Sequence, residues 1–79
     1  MTNSDQVEEH MLIEVKDDFQ TLELDDGSQW SVTPEAMPTI CTWIPTANIR
    51  IRFVDPTSLW PYEVLNTEDD VSVRARRVG

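Results

Sequence analysis

The chain has 79 residues, which allows one small domain and excludes a large buried core. Fifteen acidic residues against six Lys and Arg give a net charge of −9, which opposes general binding to the phosphates of nucleic acids. The only cysteine, Cys41, cannot form an intrachain disulfide, and we expect it to be a small buried apolar residue in a reducing compartment.

The first residues of the chain are polar and acidic. Residues 1–9 therefore predict a disordered tail, followed by a single small β-barrel domain at residues 10–79. The start lacks the apolar run of a secretory signal, and no stretch of the chain approaches the length of a membrane span. We expect a cytoplasmic protein that does not cross a membrane.

The first predicted strand covers residues 10–16. Its inward face consists of three alternating apolar residues, Met11, Ile13 and Val15. A two-residue turn, Asp17-Asp18, then leads into a second strand at residues 19–24. This turn places Ile13 opposite Leu22, and Met11 opposite Leu24.

The segment from Leu22 to Val32 predicts a β-hairpin. Apolar and polar residues alternate on both sides of Asp25-Asp26-Gly27, and Gly27 stands where a three-residue loop needs a left-handed residue. The loop sets Leu22 opposite Trp30, and Gln20 opposite Val32, so that Trp30 belongs to the core. Both turns place the same face of the second strand inside, which predicts a three-stranded meander.

A short helical connection follows the third strand. Thr33 is a suitable N-cap and Pro34 a suitable first helical residue. Pro38 excludes a long regular helix and biases Met37 away from helical angles, so we expect one or two turns within residues 34–43. Two apolar residues of this segment are expected to close one end of the barrel, namely Ile40 and either Trp43 or Ile44.

The fourth strand is predicted at residues 48–54, where apolar and basic residues alternate. The inward residues are Ile49, Ile51 and Phe53, and the outward residues are Arg50 and Arg52. A loop at residues 55–61 follows, with two prolines and Trp60. The fifth strand is predicted at residues 62–65.

The last two strands are expected to pair through a four-residue turn at residues 66–69. This turn sets Val64 opposite Val71, and Tyr62 opposite Val73. The sixth strand alternates in the same way as the fourth. Its inward residues are Val71, Val73 and Ala75, and its outward residues are Ser72, Arg74 and Arg76.

The order of these elements predicts a mainly β fold. Three strands, a short helical turn and two or three further strands are typical of a small closed barrel, which removes exposed sheet edges. The prediction is a five- to six-stranded barrel, either SH3-like or OB-like. The short strands suit the first type, and the helical turn after the third strand suits the second.

One resemblance supports this fold. Its residues are Asp26-Gly27-Ser28, Trp30 and Val32, then Trp43 and Pro45, and later Pro61-Tyr62 and Asn66. Over residues 20–78 the chain resembles a set of short uncharacterised bacterial β-barrel proteins. Thr46-Ala47 stands where those proteins commonly have Gly-Asp. No activity is assigned to that family, so the resemblance implies a barrel and no function.

The sequence does not indicate catalysis or metal binding. The acid pairs Asp17-Asp18, Asp25-Asp26 and Asp69-Asp70 lack the spacing of a calcium-binding loop and suit turns instead. His10 is the only histidine, and we expect it to be exposed to solvent without metal-ligating partners. No nucleophile, base and orienting group converge, so we expect a protein that is not an enzyme and uses no cofactor.

A partner-binding surface is the leading functional hypothesis. Its residues are two aromatic side chains near the loop and four outward arginines: Trp60, Tyr62, Arg50, Arg52, Arg74 and Arg76. Arg77 extends the basic run. A protein partner would be held by aromatic anchoring and charge pairing. In the simpler interpretation the arginines pair with acids such as Glu63, and Trp60 folds over the barrel mouth.

Two other hypotheses remain open at this point. The acidic first hairpins are consistent with a nucleic-acid mimic that inhibits a DNA- or RNA-binding protein. An OB-like face with aromatics and arginines is consistent with single-stranded nucleic-acid binding, although the net charge makes this the weaker hypothesis. We expect a monomer or a weak homodimer.

Overall fold

A computed structural model describes residues 7–79 as six antiparallel strands and one short helical segment. In chain order the elements are β1 (Val7–Val15), β2 (Thr21–Leu24), β3 (Gln29–Val32), a 3-10 turn (Pro34–Ala36), α1 (Met37–Ile40), β4 (Asn48–Phe53), β5 (Tyr62–Asn66) and β6 (Val71–Arg77). Residues 1–6 of the predicted tail lie outside the described part, and residues 7–9 belong to β1.

The six strands form a closed barrel in the order β1-β2-β3-β6-β5-β4, with β4 pairing back onto β1. The chain therefore forms two three-stranded meanders, which are joined by pairing of β3 with β6 and of β1 with β4. This arrangement confirms the predicted closed barrel with a short helix between the third and fourth strands. Within residues 7–79, no helix is long and apolar enough to cross a membrane.

The core lies inside the barrel and is built from alternate residues of the strands. Its largest fully buried side chains are Leu12, Leu22, Leu24, Val32, Ile40, Ile49, Ile51 and Val64. The same cluster contains Trp30, Trp43, Ala36, Ala47, Val73 and Ala75, and Tyr62 packs against it. Burial of these aliphatic and indole side chains is the main favourable contribution to folding.

The inward face of β1 differs from the prediction. Leu12 is fully buried, whereas Met11 is 39% exposed and Ile13 is 45% exposed. The register shifts between Leu12 and Glu14, which marks a bulge, and Val15 then returns to partial packing against the core. An irregularity of this kind changes the face that each side chain occupies, so strict alternation along residues 11–15 was the wrong assumption.

The turn after β1 explains the difference in register. The Lys16 N–H donates to the carbonyl of Thr21 at 2.8 Å, so the loop contains four residues rather than two. The Asp18 carboxylate holds this loop by accepting hydrogen bonds from the Thr21 N–H at 3.0 Å and the Thr21 hydroxyl at 2.9 Å. Phe19 takes a left-handed φ of 56°. As a result Val15, not Ile13, lies opposite Leu22.

The β2–β3 hairpin confirms the prediction. Leu22 lies opposite Trp30, and the Val32 N–H donates to the carbonyl of Gln20 at 2.9 Å. Gly27 has a φ of 86°, in the left-handed region that a glycine occupies without strain. This loop therefore fixes the register that places Trp30 in the core.

The connection after β3 consists of the 3-10 turn and α1, which lie within the predicted residues 34–43. Thr33 is extended, and its side chain makes no capping hydrogen bond. Met37 is helical, with φ −55° and ψ −46°, so it does not follow the bias away from helical angles that was expected of the residue before Pro38. Pro38 lies in the first turn of α1, where N–H groups have no acceptor within the helix, so its missing N–H costs no helical hydrogen bond.

The end of this segment closes one side of the barrel. Ile40 and Trp43 are buried, and Ile44 is exposed. Cys41 is also exposed, which contradicts the expectation of a buried cysteine. Ile40 occupies the inward position at the end of α1, and the next residue, Cys41, therefore points to solvent.

The second meander keeps the predicted alternation but not every predicted position. Ile49 and Ile51 are buried, whereas Phe53 is exposed and not part of the core. Phe53 is the last residue of β4, and its ring lies at the rim with its centroid 5.1 Å from that of Tyr62. At the end of a barrel strand no facing strand covers the side chain. A residue there can therefore occupy an inward-facing position of the alternation and still be exposed.

The β5–β6 turn is displaced by one residue from the prediction. The Asp70 N–H donates to the carbonyl of Asn66 at 2.8 Å, and the turn therefore covers residues 67–70. Val64 pairs with Val73 rather than with Val71, and the predicted pairing was wrong by two residues. Asn66 is buried at the end of β5, where its side-chain oxygen accepts from the Glu68 N–H at 2.9 Å and so stabilises the turn.

The observed face of β1 predicts a large difference between two neighbouring substitutions. Leu12→Ala should lower the free energy of unfolding by about 2–5 kcal/mol, because it removes a fully buried side chain. Met11→Ala should cost less than about 1 kcal/mol, because Met11 lies on the outer surface. Urea unfolding followed by tryptophan fluorescence measures both changes. A larger loss for Met11→Ala than for Leu12→Ala would contradict the observed register.

Candidate functional site

The barrel separates the four outward arginines into two groups. Arg50 and Arg52 lie on β4, Arg74 and Arg76 lie on β6, and β5 lies between these strands. Glu63 of β5 pairs with Arg52 on one side and with Arg74 on the other. The arginines therefore do not form one continuous basic stripe, because an acidic residue stands between them.

The two arginines of β4 pair with carboxylates. Arg52 Nη2 donates to Glu63 Oε1 at 2.9 Å, and Arg50 Nη2 lies 3.3 Å from Glu9 Oε2. These contacts agree with the simpler interpretation of the outward arginines as members of cross-strand ion pairs. Exposed pairs of this type contribute little to stability, and their charges are largely neutralised.

The arginines of β6 have different partners. Among residues 7–79, no carboxylate forms a salt bridge with Arg74 or Arg76. Arg74 instead donates from Nε and Nη2 to the main-chain carbonyl of Trp60, at 3.0 and 2.7 Å. The Arg76 guanidinium carbon lies 5.1 Å from the centroid of the Trp60 ring, in cation–π geometry. Trp60 is therefore held against the outer side of β6 by two arginines.

The loop that carries Trp60 is ordered by its own hydrogen bonds. The carbonyl of Pro61 accepts from the Asp55 N–H at 3.1 Å, and the Asp55 carboxylate accepts from the Thr57 hydroxyl at 2.8 Å. Ser58 Oγ accepts from the Trp60 N–H at 2.9 Å. At the tip, Leu59 has 76% of its surface exposed, the highest value of any large apolar residue in the described chain.

We name this surface the Trp60 face and define it by Leu59, Trp60, Arg74 and Arg76. It combines an exposed leucine, a half-buried indole and the guanidinium of Arg76. Arg74 has a positioning role, since both of its hydrogen-bonding nitrogens contact the loop backbone. The face can contact an apolar side chain and one or two anionic groups at the same time.

Tyr62 does not belong to the Trp60 face. It is half-buried at the barrel rim, and its ring contacts Trp30 edge to face with 4.9 Å between the centroids. It also contacts Phe53. The structure thus brings together three of the six residues predicted for a binding surface, Trp60, Arg74 and Arg76, and places the other three elsewhere.

The carboxylates of the acidic first hairpins, on which the hypothesis of a nucleic-acid mimic rests, lie in separate places. Glu14 and Glu23 both lie 2.9 Å from Lys16 Nζ, and these contacts raise the Lys16 pKa. The Asp17-Asp18 and Asp25-Asp26 turns lie at opposite ends of β2. Several of these groups are thus engaged in contacts within the barrel.

A second cluster of polar side chains surrounds His10. Its side chain is only 15% exposed. His10 Nδ1 lies 3.0 Å from Asp25 Oδ1, while Nε2 lies 3.0 Å from Glu8 Oε1 and 3.7 Å from Asp26 Oδ2. The expectation of a solvent-exposed histidine without partners was wrong.

The electrostatics of this cluster favour a protonated imidazole. Partial burial lowers the His10 pKa, but hydrogen bonds to Glu8 and Asp25 and the charge of Asp26 outweigh it, so the pKa is raised above its usual value. The Asp26 pKa is lowered, mainly because its carboxylate accepts a hydrogen bond from the Ser28 hydroxyl. Glu8 and His10 are two residues apart on one strand, and this spacing was the signal available in the sequence.

A chain of hydrogen bonds connects this cluster to the core. The Trp30 indole N–H donates to Ser28 Oγ at 2.9 Å, and the Ser28 hydroxyl donates to Asp26 Oδ1 at 2.6 Å. Ser28 is almost fully buried. The Asp26 carboxylate is therefore fixed from the interior of the barrel, with its other oxygen directed toward His10.

Comparison with known proteins adds no information about the Trp60 face or the cluster around His10. No protein-family model, no curated protein and no solved structure matches the chain.

The loop of the Trp60 face should make stability depend on pH through Asp55. Hydrogen bonds from the Thr57 hydroxyl and N–H lower the Asp55 pKa below its usual value of 3.8. A lowered folded-state pKa gives a stabilising contribution that is present above 3.8 and lost as the pH falls through the lower folded value. The stability difference between wild type and Asp55→Ala should therefore shrink on acidification.

Urea unfolding at a series of pH values from 7 to about 2.5 measures this difference. Thr57→Ala is the matched control, because it removes the hydroxyl that is the main cause of the shift. When Thr57→Ala is already present, adding Asp55→Ala should change the pH dependence of the free energy of unfolding by less than it does in wild type. A difference between wild type and Asp55→Ala that grows on acidification would contradict the assignment.

Proposed function

We propose that the protein is a non-enzymatic interaction module that binds an acidic segment of a protein partner through the Trp60 face. The observation that carries the proposal is the pair of arginine contacts to Trp60. Arg74 holds the loop backbone and Arg76 covers the indole ring, and among residues 7–79 neither forms a salt bridge. In a chain of net charge −9, the exposed guanidinium of Arg76 is therefore available to a carboxylate of a partner.

The loop provides preorganised contact area. Its internal hydrogen bonds fix the backbone on which Leu59 and Trp60 are presented, so less conformational entropy is lost on binding. A tryptophan and an arginine are the residue types that most often dominate the energy of protein interfaces. Leu59, the most exposed large apolar residue of the described chain, adds an apolar contact.

The charge distribution supports a protein partner over a nucleic acid. The Glu63 carboxylate lies between Arg52 and Arg74 on neighbouring strands. The Asp55 carboxylate also lies near this surface, since the charge of Arg74 contributes to lowering the Asp55 pKa. Single-stranded nucleic acids are usually bound in a groove that is positive along the whole backbone. A local cation beside an apolar residue suits a short peptide with one or two carboxylates.

Several finer features belong to the same proposal. We propose that the barrel is SH3-like or OB-like, which its short strands and the helix after β3 support. A cytoplasmic location is supported by the exposed free thiol of Cys41, which suits a reducing compartment. We propose a monomer or a weak homodimer, and the resemblance to bacterial barrel proteins supports a bacterial setting.

The proposal is tested by screening an array of 12-residue peptides of varied charge against the purified protein. Wild type should select peptides that combine carboxylates with an apolar residue, and affinity should fall with added salt. Arg76→Gln and Leu59→Ser should each weaken binding of the selected peptides by about tenfold or more. Fluorescence anisotropy of labelled peptides gives the affinities.

Arg50→Gln is the matched control, because it removes the same charge from an exposed arginine that already pairs with Glu9. It should change affinity by less than about twofold. Equal losses of affinity for Arg50→Gln and Arg76→Gln would show that the peptides bind only through non-specific charge attraction, and would refute binding at the Trp60 face.

Two further arms distinguish the rival functions. Selection of basic peptides with an affinity insensitive to Arg76→Gln would favour the acidic mimic. A change of tryptophan fluorescence on titration with a single-stranded oligonucleotide at low salt, together with no selected peptide, would favour the nucleic-acid binder.

A further inference from the structure

The cluster around His10 contains a set of metal-ligating atoms that the Trp60 face does not use. Glu8, His10 and Asp26 each offer one potential ligand atom, and these atoms lie within 4.8 Å of one another. His10 Nε2 lies 3.0 Å from the Glu8 oxygen and 3.7 Å from the Asp26 oxygen. Tetrahedral ligands at Zn²⁺ bond lengths of 2.0–2.2 Å are separated by about 3.4 Å, so no pair of ligand atoms needs to approach by more than about 1.4 Å.

Groups outside the ligand set orient two of the three ligands. Asp25 lies 3.0 Å from His10 Nδ1 and can hold a proton there, so that loss of the Nε2 proton would leave the Nε2 lone pair for a cation. A carboxylate behind a metal-bound histidine is a common feature of zinc sites. Asp26 is fixed through Oδ1 by the buried Ser28 hydroxyl, and Oδ2 faces the imidazole.

The local charge also favours a divalent cation. Three carboxylates, those of Glu8, Asp25 and Asp26, surround one imidazole. Even a protonated imidazole leaves a local charge of −2, whereas a divalent ion with a neutral imidazole leaves −1. Replacing the proton on Nε2 with such an ion therefore reduces the repulsion among the carboxylates.

The imidazole distinguishes this cluster from the acid pairs at the other turns. Hard cations such as Mg²⁺ and Ca²⁺ are bound through oxygen alone, whereas ions of the zinc type favour imidazole nitrogen together with carboxylate oxygen. We propose that Glu8, His10 and Asp26 form a binding site for a divalent transition-metal ion of the Zn²⁺ type, with Asp25 as a positioning residue. Three protein ligands leave one tetrahedral position for water or for a partner's group.

The site can be tested by isothermal titration calorimetry of ZnCl₂ into the metal-free full chain at pH 7.5. Wild type should bind one Zn²⁺ per chain. His10→Gln and Glu8→Gln should each weaken binding by about tenfold or more, and Asp25→Asn should weaken it by about 10–100-fold. Glu8 is exposed at the start of β1, so its substitution tests the site even if His10→Gln fails to fold.

Asp17→Asn is the matched control, because it removes one charge from an exposed acid pair at the other end of β2. It should change the Zn²⁺ affinity by less than about twofold. A loss for Asp17→Asn as large as that for Glu8→Gln, or binding that survives both His10→Gln and Glu8→Gln, would show only general attraction of cations and overturn the proposal.

A spectroscopic readout locates the ion independently. The hydrogen bonds from Trp30 through Ser28 to Asp26 predict that Zn²⁺ shifts the Trp30 indole N–H signal in a ¹H–¹⁵N spectrum. The corresponding signal of Trp60, which lies in the loop against β6, should not move. The opposite pattern, or saturation by Mg²⁺ at the same concentration, would contradict an imidazole-containing site.

Discussion

The structure depends on the way β1 closes the barrel. Val7 to Met11 pair with β4, and Leu12 to Val15 pair with β2, so one bent strand joins the two meanders. The bulge between Leu12 and Glu14 lies where the strand passes from one partner to the other. This geometry buries Leu12, leaves no open sheet edge between β1 and either neighbour, and supports every other strand through the closed hydrogen-bonded ring.

The same closure positions both polar surfaces. Pairing of the early part of β1 with β4 extends this strand past the β2–β3 loop, and Asp25 and Asp26 of that loop thereby meet His10. On the other side, β5 separates β4 from β6, so the arginines divide into neutralised pairs on β4 and loop-holding residues on β6. The two surfaces are products of strand order rather than of local sequence.

The differences between prediction and structure come from turns and strand ends. The Asp25-Asp26-Gly27 loop was predictable because glycine at a left-handed position fixes loop length. The loop after β1 was not, because Asp18 stabilises four residues where two also fit the sequence. Phe53 and Cys41 show the same limit. Neither the alternation along a strand nor the apolar character of a side chain reveals which positions at the barrel rim or after a helix are buried.

The sequence by itself determined the class of fold, the central hairpin with Trp30 inside, and the inward and outward faces of most of β4 and β6. These features follow from period-two alternation and turn chemistry, which act over a few residues. Only the tertiary structure decided which arginines meet carboxylates, that Trp60 lies against β6, and that His10 lies among three acids. Apart from the contact of His10 with Glu8, those contacts join residues that lie 11 or more positions apart, and pairing at that distance is set by barrel closure rather than by local pattern.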